Sequence, residues 1–219
     1  MLARWRRIPG PPRDAVKARL LRIYVALLDR FGPQGWWTGR PPFEIAVGAI
    51  LTQPASWTSA AGAIAALRAH RLLVPARIDR IHEARLARVI RAAGRHRMKA
   101  RRLKAFTRWL VSRHGGRFDA LRSAPLGALR GELLAIPGIG PETADAILLY
   151  AAHRPVFVAD ADTCRVLARH GVRRPGATYE AARAFLEAHL PSDPALFGEF
   201  HALLVAAGRS NVTRASRRR

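Results

Sequence analysis

The segment LLAIPGIGPETADAILLY, residues 133–150, constrains this chain more than any other: two apolar stretches of helical spacing meet at a turn where Gly138 and Gly140 bracket Ile139. Glycine at both positions permits positive φ and the close approach of another chain. Pro141 suits the first position of the second helix and leaves neighbouring amides pointing outward at a helix N-terminus, where a phosphate is favoured. Ile136 and Ile139 are expected to anchor the turn to the core. The same residues also read as an ordinary helix-helix connection, so the rest of the chain has to decide.

Apolar residues recur at helical spacing elsewhere too, and Pro and Gly mark the spacers, which predicts an all-α protein of roughly ten helices. A basic amphipathic helix is expected over 13–31, ended by Gly32 and Pro33. The loop GPQGWWTGRPP follows, then FEIAVGAILT as a helix buried on most sides, which Pro54 should stop or kink before SWTSAAGAIAALRAH. Further helices are predicted over 79–93 and 97–114, then on either side of the Gly-rich turn, and after a short extended VFVAD. No repeat of solenoid period and no low-complexity domain is present.

Charge narrows the partners. The 219 residues carry 38 Lys+Arg against 15 Asp+Glu, a formal net charge of +23. An excess of this size points to a polyanion, and nucleic acid leads over membrane surfaces and heparin-like polymers. The start MLARWRR lacks an apolar core and cleavage site, and no apolar run reaches membrane-spanning length, so a soluble, cytoplasmic, nucleoid-associated protein is expected. A GC-rich genome would also raise Arg, though it would not remove acids. The segment AAGRHRMKARRLKAF holds six Lys or Arg, and Arg97, Lys99 and Arg101 are candidates to line DNA; the alternative is a solvated helix face. One cysteine, Cys164, allows neither an internal disulfide nor a cysteine-held cluster, and the scattered histidines suggest no metal site.

The hairpin segment LAIPGIGPETADAIL resembles the helix-hairpin-helix element of the DNA glycosylases related to endonuclease III. VFVADADTCRVLARHG is similar to the family segment that carries its aspartate, FEIAVGAILTQPASWTSAAGAI to its first core helix, and GRHRMKARRLKAF to its glycine followed by a Lys-Ala pair. The matches fall in family order and cover most of residues 36–212. The resemblance implies two helical lobes with an active cleft between them: a continuous domain over 43–155 containing the hairpin (133–150), and a second from 1–42 plus 156–219, with a basic, frayed tail over 210–219.

It also implies chemistry. Bifunctional relatives have a lysine two residues after the second hairpin glycine, where this chain has Glu142, which cannot form an imine with C1′. Val212 stands at the position of the first cluster cysteine, so no iron-sulfur cluster is expected. These departures point to the 3-methyladenine DNA glycosylase III branch, matched by Thr52, Gln53 and Trp57 and by the pair Trp36 and Trp37. Pro54 and Ala55, where that branch commonly has polar residues, and a tail without a lysine depart from it.

The resemblance makes Asp160 the catalytic carboxylate, five residues before Arg165, with Asp162 as the neighbouring alternative. Such a carboxylate stabilises an oxocarbenium-like sugar and orients or deprotonates water, although Asp160 also reads as a plain helix cap. Trp36, Trp37 and Trp57 would stack on a cationic purine at about 0.5–2 kcal/mol per contact, and Gln53 would fill the gap left in the duplex. Gly138, Ile139, Gly140 and Thr143 of the hairpin would hold the backbone, with a monovalent cation bridging turn carbonyls to phosphate. The expected partner is double-stranded DNA with a damaged base, bound by a monomer. The expected reaction is monofunctional hydrolysis of alkylated purine nucleotides; a glycosylase for oxidised or deaminated bases and a non-catalytic DNA-binding protein are the alternatives.

Overall fold

The structure is a computed structural model that describes residues 15–53, 57–172, 176 and 178–216, with side chains described as far as residue 210. Among the described residues there are twelve α-helices and no β-strand. The chain forms two compact units. One is continuous over Gly39–Arg154, and the other joins the stretch up to Thr38 to the stretch from Pro155 onward. The breaks fall at 38/39 and 154/155 rather than at 42/43 and 155/156. Local pairing explains both: Arg40 donates to Glu44 at 2.7 Å, while Arg154 donates to the Leu121 and Ala124 carbonyls at 3.2 and 2.8 Å.

In the continuous unit α2 (Pro42–Leu51) starts on a proline and is buried almost all round, packing on α3 (Trp57–Ala69). Its one acid, Glu44, is buried with two guanidiniums, Arg40 and Arg68, at 2.7 and 2.8 Å. Pro54 and Ala55, on which the expected break and turn depend, lie outside the described residues.

The helix expected over 79–93 is instead α4 (Pro75–Arg80), α5 (Glu83–Val89) and a 3₁₀ turn, Arg91–Ala93. Two side chains cause the division. Lys104 on α6 (His96–His114) donates to the carbonyls of Ile78, Asp79 and Ile81, removing them from helix continuation. His82 then caps α5, its Nδ1 accepting the Ala84 N–H at 3.3 Å.

After α7 (Asp119–Ser123), the hairpin is α8 (Leu126–Leu134), a six-residue turn over 135–140, and α9 (Pro141–Ala146), whose last turn widens into a π-helical stretch, Ile147–Ala151. The two helices are held together by charge as well as by Leu129, Leu133, Ala144 and Ile147. The fully buried Asp145 accepts from Arg130 Nε at 2.7 Å and Nη2 at 3.0 Å. Such a bidentate pair fixes the relative rotation of two helices, because only one arrangement satisfies both oxygens.

The other unit packs α1 (Ala15–Phe31) and α10 (Ala161–Arg169) on the long α12 (Pro194–Ser216), with α11 (Tyr179–His189) against α1. Phe200 of α12 meets Tyr24 of α1 and Phe157 of the extended segment, with ring centroids 5.5 and 6.0 Å apart. The expected frayed tail is instead helical backbone to Ser216, continuous with α12. No helix among the described residues is long and apolar enough to cross a membrane.

Replacing Asp145 by Ala removes the two bonds that its carboxylate accepts from the Arg130 guanidinium, whose side chain is only 15% exposed. The expected cost is about 3 kcal/mol of unfolding free energy, read from urea denaturation with an unchanged slope.

Candidate active site

The carboxylate singled out in the sequence sits where an extended strand-like segment turns into α10. Asp160 Oδ1 accepts the Thr163 N–H at 2.8 Å, so it is the N-cap of that helix. Its Oδ2 lies 3.5 Å from His201 Nε2, and the side chain keeps 16% of its surface open. Burial pushes the carboxyl up, but His201, through its hydrogen bond and charge, and the Thr163 N–H and hydroxyl outweigh it, so the group sits below its ordinary 3.8. The carboxylate is therefore charged at neutral pH while mostly removed from water.

Asp162 has a different situation. It pairs with Arg165, and its carboxylate rests against Gly208 of α12 so closely that a Cβ there would overlap Oδ1. Its place is in the packing of α10 on α12.

His201 also carries the loop ahead of α2. The Trp36 ring stands edge-on to the His201 ring, 5.7 Å between centroids at 85°, and Trp36 is 37% exposed. What puts Trp36 there is Glu199, one residue pair earlier on α12. Its buried carboxylate accepts the backbone N–H groups of Gln34 at 2.5 Å and Gly35 at 3.2 Å, clamping the loop onto the helix. Trp37 follows half-buried with φ +65°, a left-handed conformation that a bulky residue adopts only where its surroundings hold it. One unit thus brings together Asp160, Trp36 and His201.

The remaining predicted residues belong to the other unit. Trp57 opens α3 and is 44% exposed. Gln53 is half-buried, and its Oε1 accepts from Arg102 Nη1 at 2.8 Å. The Arg102 side chain also lies across the hairpin turn. A Cβ at Gly138 would stand 2.6 Å from its Nε, and Gly138 has φ +85°. Gly138 is therefore glycine for two independent reasons.

Gly140 differs from expectation: its φ is −89° with ψ 176°, an extended conformation open to any residue, and nothing lies within 4 Å of a Cβ there. What glycine leaves at this position is open space outside the turn. The amides of Gly138 and Gly140 meet no acceptor among the described residues, whereas the Ile139 N–H donates to the Ile136 carbonyl at 3.0 Å. Ile139 and Thr143 are buried, so their side chains belong to the core and not to a DNA-facing surface.

A second correction concerns the basic segment. Lys99 is fully buried, and its Nζ donates to the carbonyls of Leu51 at 2.7 Å and Ala93 at 2.6 Å. It closes the end of α2 and cannot line DNA. Arg97 is exposed, and Arg101 is exposed in a loose pair with Glu83 at 3.3 Å. Sequence reasoning missed His201, Glu199 and Arg102: a histidine or glutamate inside an apolar helix carries no local mark of what it faces.

Comparisons with known proteins establish the family and the fold. The description HhH-GPD superfamily base excision DNA repair protein matches residues 47–192, and the chain belongs to that superfamily. MJ1434 of Methanocaldococcus jannaschii, named as a DNA repair glycosylase, is 41% identical over 187 residues, 85% of each chain. Endonuclease III of Thermotoga maritima is 33% identical over 125 residues, 55% of this chain and 52% of that one. Among solved structures, the H. pylori 3-methyladenine DNA glycosylase MagIII bound to 1,N6-ethenoadenine aligns with TM-score 0.75 at 23% identity, covering 90% of this chain and 98% of that one. A trapped endonuclease III–DNA covalent intermediate aligns with TM-score 0.72 at 20% identity, covering 86% and 84%. The all-α, two-lobed helix-hairpin-helix fold is thus the fold of this chain.

Two outcomes test the geometry. Replacing His201 by Ala removes the largest part of what offsets burial and leaves only Thr163, so the Asp160 carboxyl should move up, measured by carbon-detected NMR titration. Because the native value is depressed, the stability Asp160 contributes is present at neutral pH and lost only as pH falls through that value. Gly138→Ala should lose about 1–3 kcal/mol of stability, while Gly140→Ala should leave the thermal midpoint unchanged.

Proposed function

We propose that the protein is a monofunctional DNA glycosylase that hydrolyses the N-glycosidic bond of alkylated purines of the 3-methyladenine type. The observation that carries this reading is the Asp160 carboxylate, held charged by Thr163 and His201 in the same unit as the partly open Trp36 ring. Departure of the base leaves positive charge on the sugar. A nearby fixed carboxylate stabilises that charge and orients or deprotonates the attacking water, and a low-dielectric setting strengthens the effect.

An alkylated purine is cationic and leaves without strong protonation, so selection falls to indole faces, and Trp36, Trp37 and Trp57 are assigned to it. His201 acts on the reaction through Asp160 and is a positioning residue. The outward amides of Gly138 and Gly140 hold a backbone phosphate, with a monovalent cation at the turn carbonyls when DNA is bound, and Arg97 adds salt-sensitive attraction. Gln53 remains the candidate to fill the vacated stack, once released from Arg102.

Hydrolysis without strand cleavage is supported by the lysines. The chain has three; Lys99 and Lys104 are tied to backbone carbonyls, and exposed Glu142 occupies the position where relatives form an imine. The absence of an iron-sulfur cluster and a cytoplasmic, monomeric state belong to the same reading.

Duplexes carrying 3-methyladenine, 7-methylguanine, thymine glycol, uracil or an abasic site separate the possibilities. The expected result is strand breakage at 3-methyladenine only after hot alkali. Breakage without alkali would overturn the hydrolytic reading, release of thymine glycol or uracil alone would move the substrate to oxidised or deaminated bases, and binding with no release on any duplex would leave a non-catalytic protein. Asp160→Asn should lower single-turnover release by 10²-fold or more with DNA affinity retained.

A further inference from the structure

The face of the continuous unit formed by α4 and α5 carries a cavity of 320 Å³ that no role described above uses. Leu72, Ile81 and Val89, all half-buried, give it apolar walls, and the exposed Arg77, Arg80 and Arg85 surround them. No carboxylate lines it. Arg80 and Arg85 have no ion-pair or hydrogen-bond partner among the described residues, and Arg77 gives one N–H to the Arg71 carbonyl at 2.8 Å and keeps its other donors. The acid of α5, Glu83, is turned to Arg101. Three exposed guanidiniums lining an apolar hollow match the chemistry of a phosphate joined to an apolar body.

The cavity lies away from the hairpin turn. Lys104 of α6 reaches the α4 carbonyls while Arg102 reaches Gly138, and positions two apart on a helix point about 200° from one another. The two contacts therefore leave α6 on opposite sides. A duplex closes its base faces by stacking, whereas an unpaired nucleotide offers both an exposed base face and a phosphate, and His70 adds a ring to the lining against which a base can stack.

We propose that this cavity is a second nucleic-acid site, which takes one unpaired nucleotide of a single DNA strand: its phosphate on Arg80 and Arg85, its base over Leu72, Ile81 and Val89. The site is separate from the hairpin, and its readout is binding, so it stands or falls independently of the glycosylase reading.

The test compares wild type, Arg80→Gln/Arg85→Gln and a charge-matched control, Arg108→Gln/Arg113→Gln, by fluorescence anisotropy with a labelled oligothymidylate of about 10 nucleotides. The pocket variant is expected to bind roughly tenfold more weakly, and the slope of log affinity against log salt should fall by about 0.7, the share of one single-strand phosphate. Its thermal midpoint and its affinity for a lesion-bearing duplex should be those of wild type. Equal loss in the charge-matched control, equal loss on the duplex, or no loss at all would overturn the proposal. So would displacement of the oligomer by thymidine 5′-monophosphate at concentrations that match the oligomer's own affinity, since a free nucleotide would then be the ligand.

Discussion

A carboxylate that is largely withdrawn from water has to be kept charged, and the unit holding Asp160 is arranged around that need. The helix N-terminus supplies the Thr163 N–H at 2.8 Å, and His201 of α12 approaches the other oxygen at 3.5 Å. The cap is local to α10, but the histidine is brought to it by the packing of α10 on α12, in which Asp162 lies against Gly208. Glu199, on the same helix as His201, fixes the loop that sets Trp36 on the imidazole. The acid, its partner and the nearest indole therefore take their positions from α12, so a shift of that helix would disturb charge and aromatic surface together.

Helix α6 shows the corresponding economy in the other unit. Helix ends leave carbonyls without intrahelical partners, and where those ends are buried something must donate to them. Lys99 and Lys104 have the reach, and their Nζ groups meet carbonyls at the ends of α2 and α4. Arg102, three residues from Lys99 and so on a neighbouring face, spans from Gln53 to Gly138. One helix thereby sets the positions of the end of α2, the 3₁₀ turn before it and the hairpin turn.

Much of this was legible in the sequence. The helical period, the Gly-Pro punctuation and the hairpin motif lead to an all-α fold, and Asp160 at the start of a helix is readable because caps follow a local rule. The misreadings share one cause. Lys99 looks like a surface cation, Thr143 like a polar hairpin contact and 79–93 like one helix, because each depends on what a distant element offers: carbonyls needing donors, a core needing volume, a lysine capturing α4. Gly140 illustrates the reverse, since its sequence context suggests a conformational role, yet its φ of −89° is open to any residue and a Cβ there would meet only open space. His201 was visible only as one histidine among eight.

The distribution of acids explains why the positive surface is so weakly masked. Only 15 acidic residues are present, and several are internal: Asp145 with Arg130, Glu44 with Arg40 and Arg68, Glu199 on backbone amides, Asp160 on a helix N-terminus. Each buried carboxylate stabilises one arrangement of helices and at the same time is withdrawn from the surface, where it would have screened a neighbouring arginine. Outward-facing guanidiniums such as Arg80, Arg85 and Arg97 then have no carboxylate partner among the described residues, and their attraction for phosphate is limited mainly by dissolved salt. The constraints that pack the interior and the field that draws a polyanion to the surface are thus consequences of the same placement of scarce negative charge.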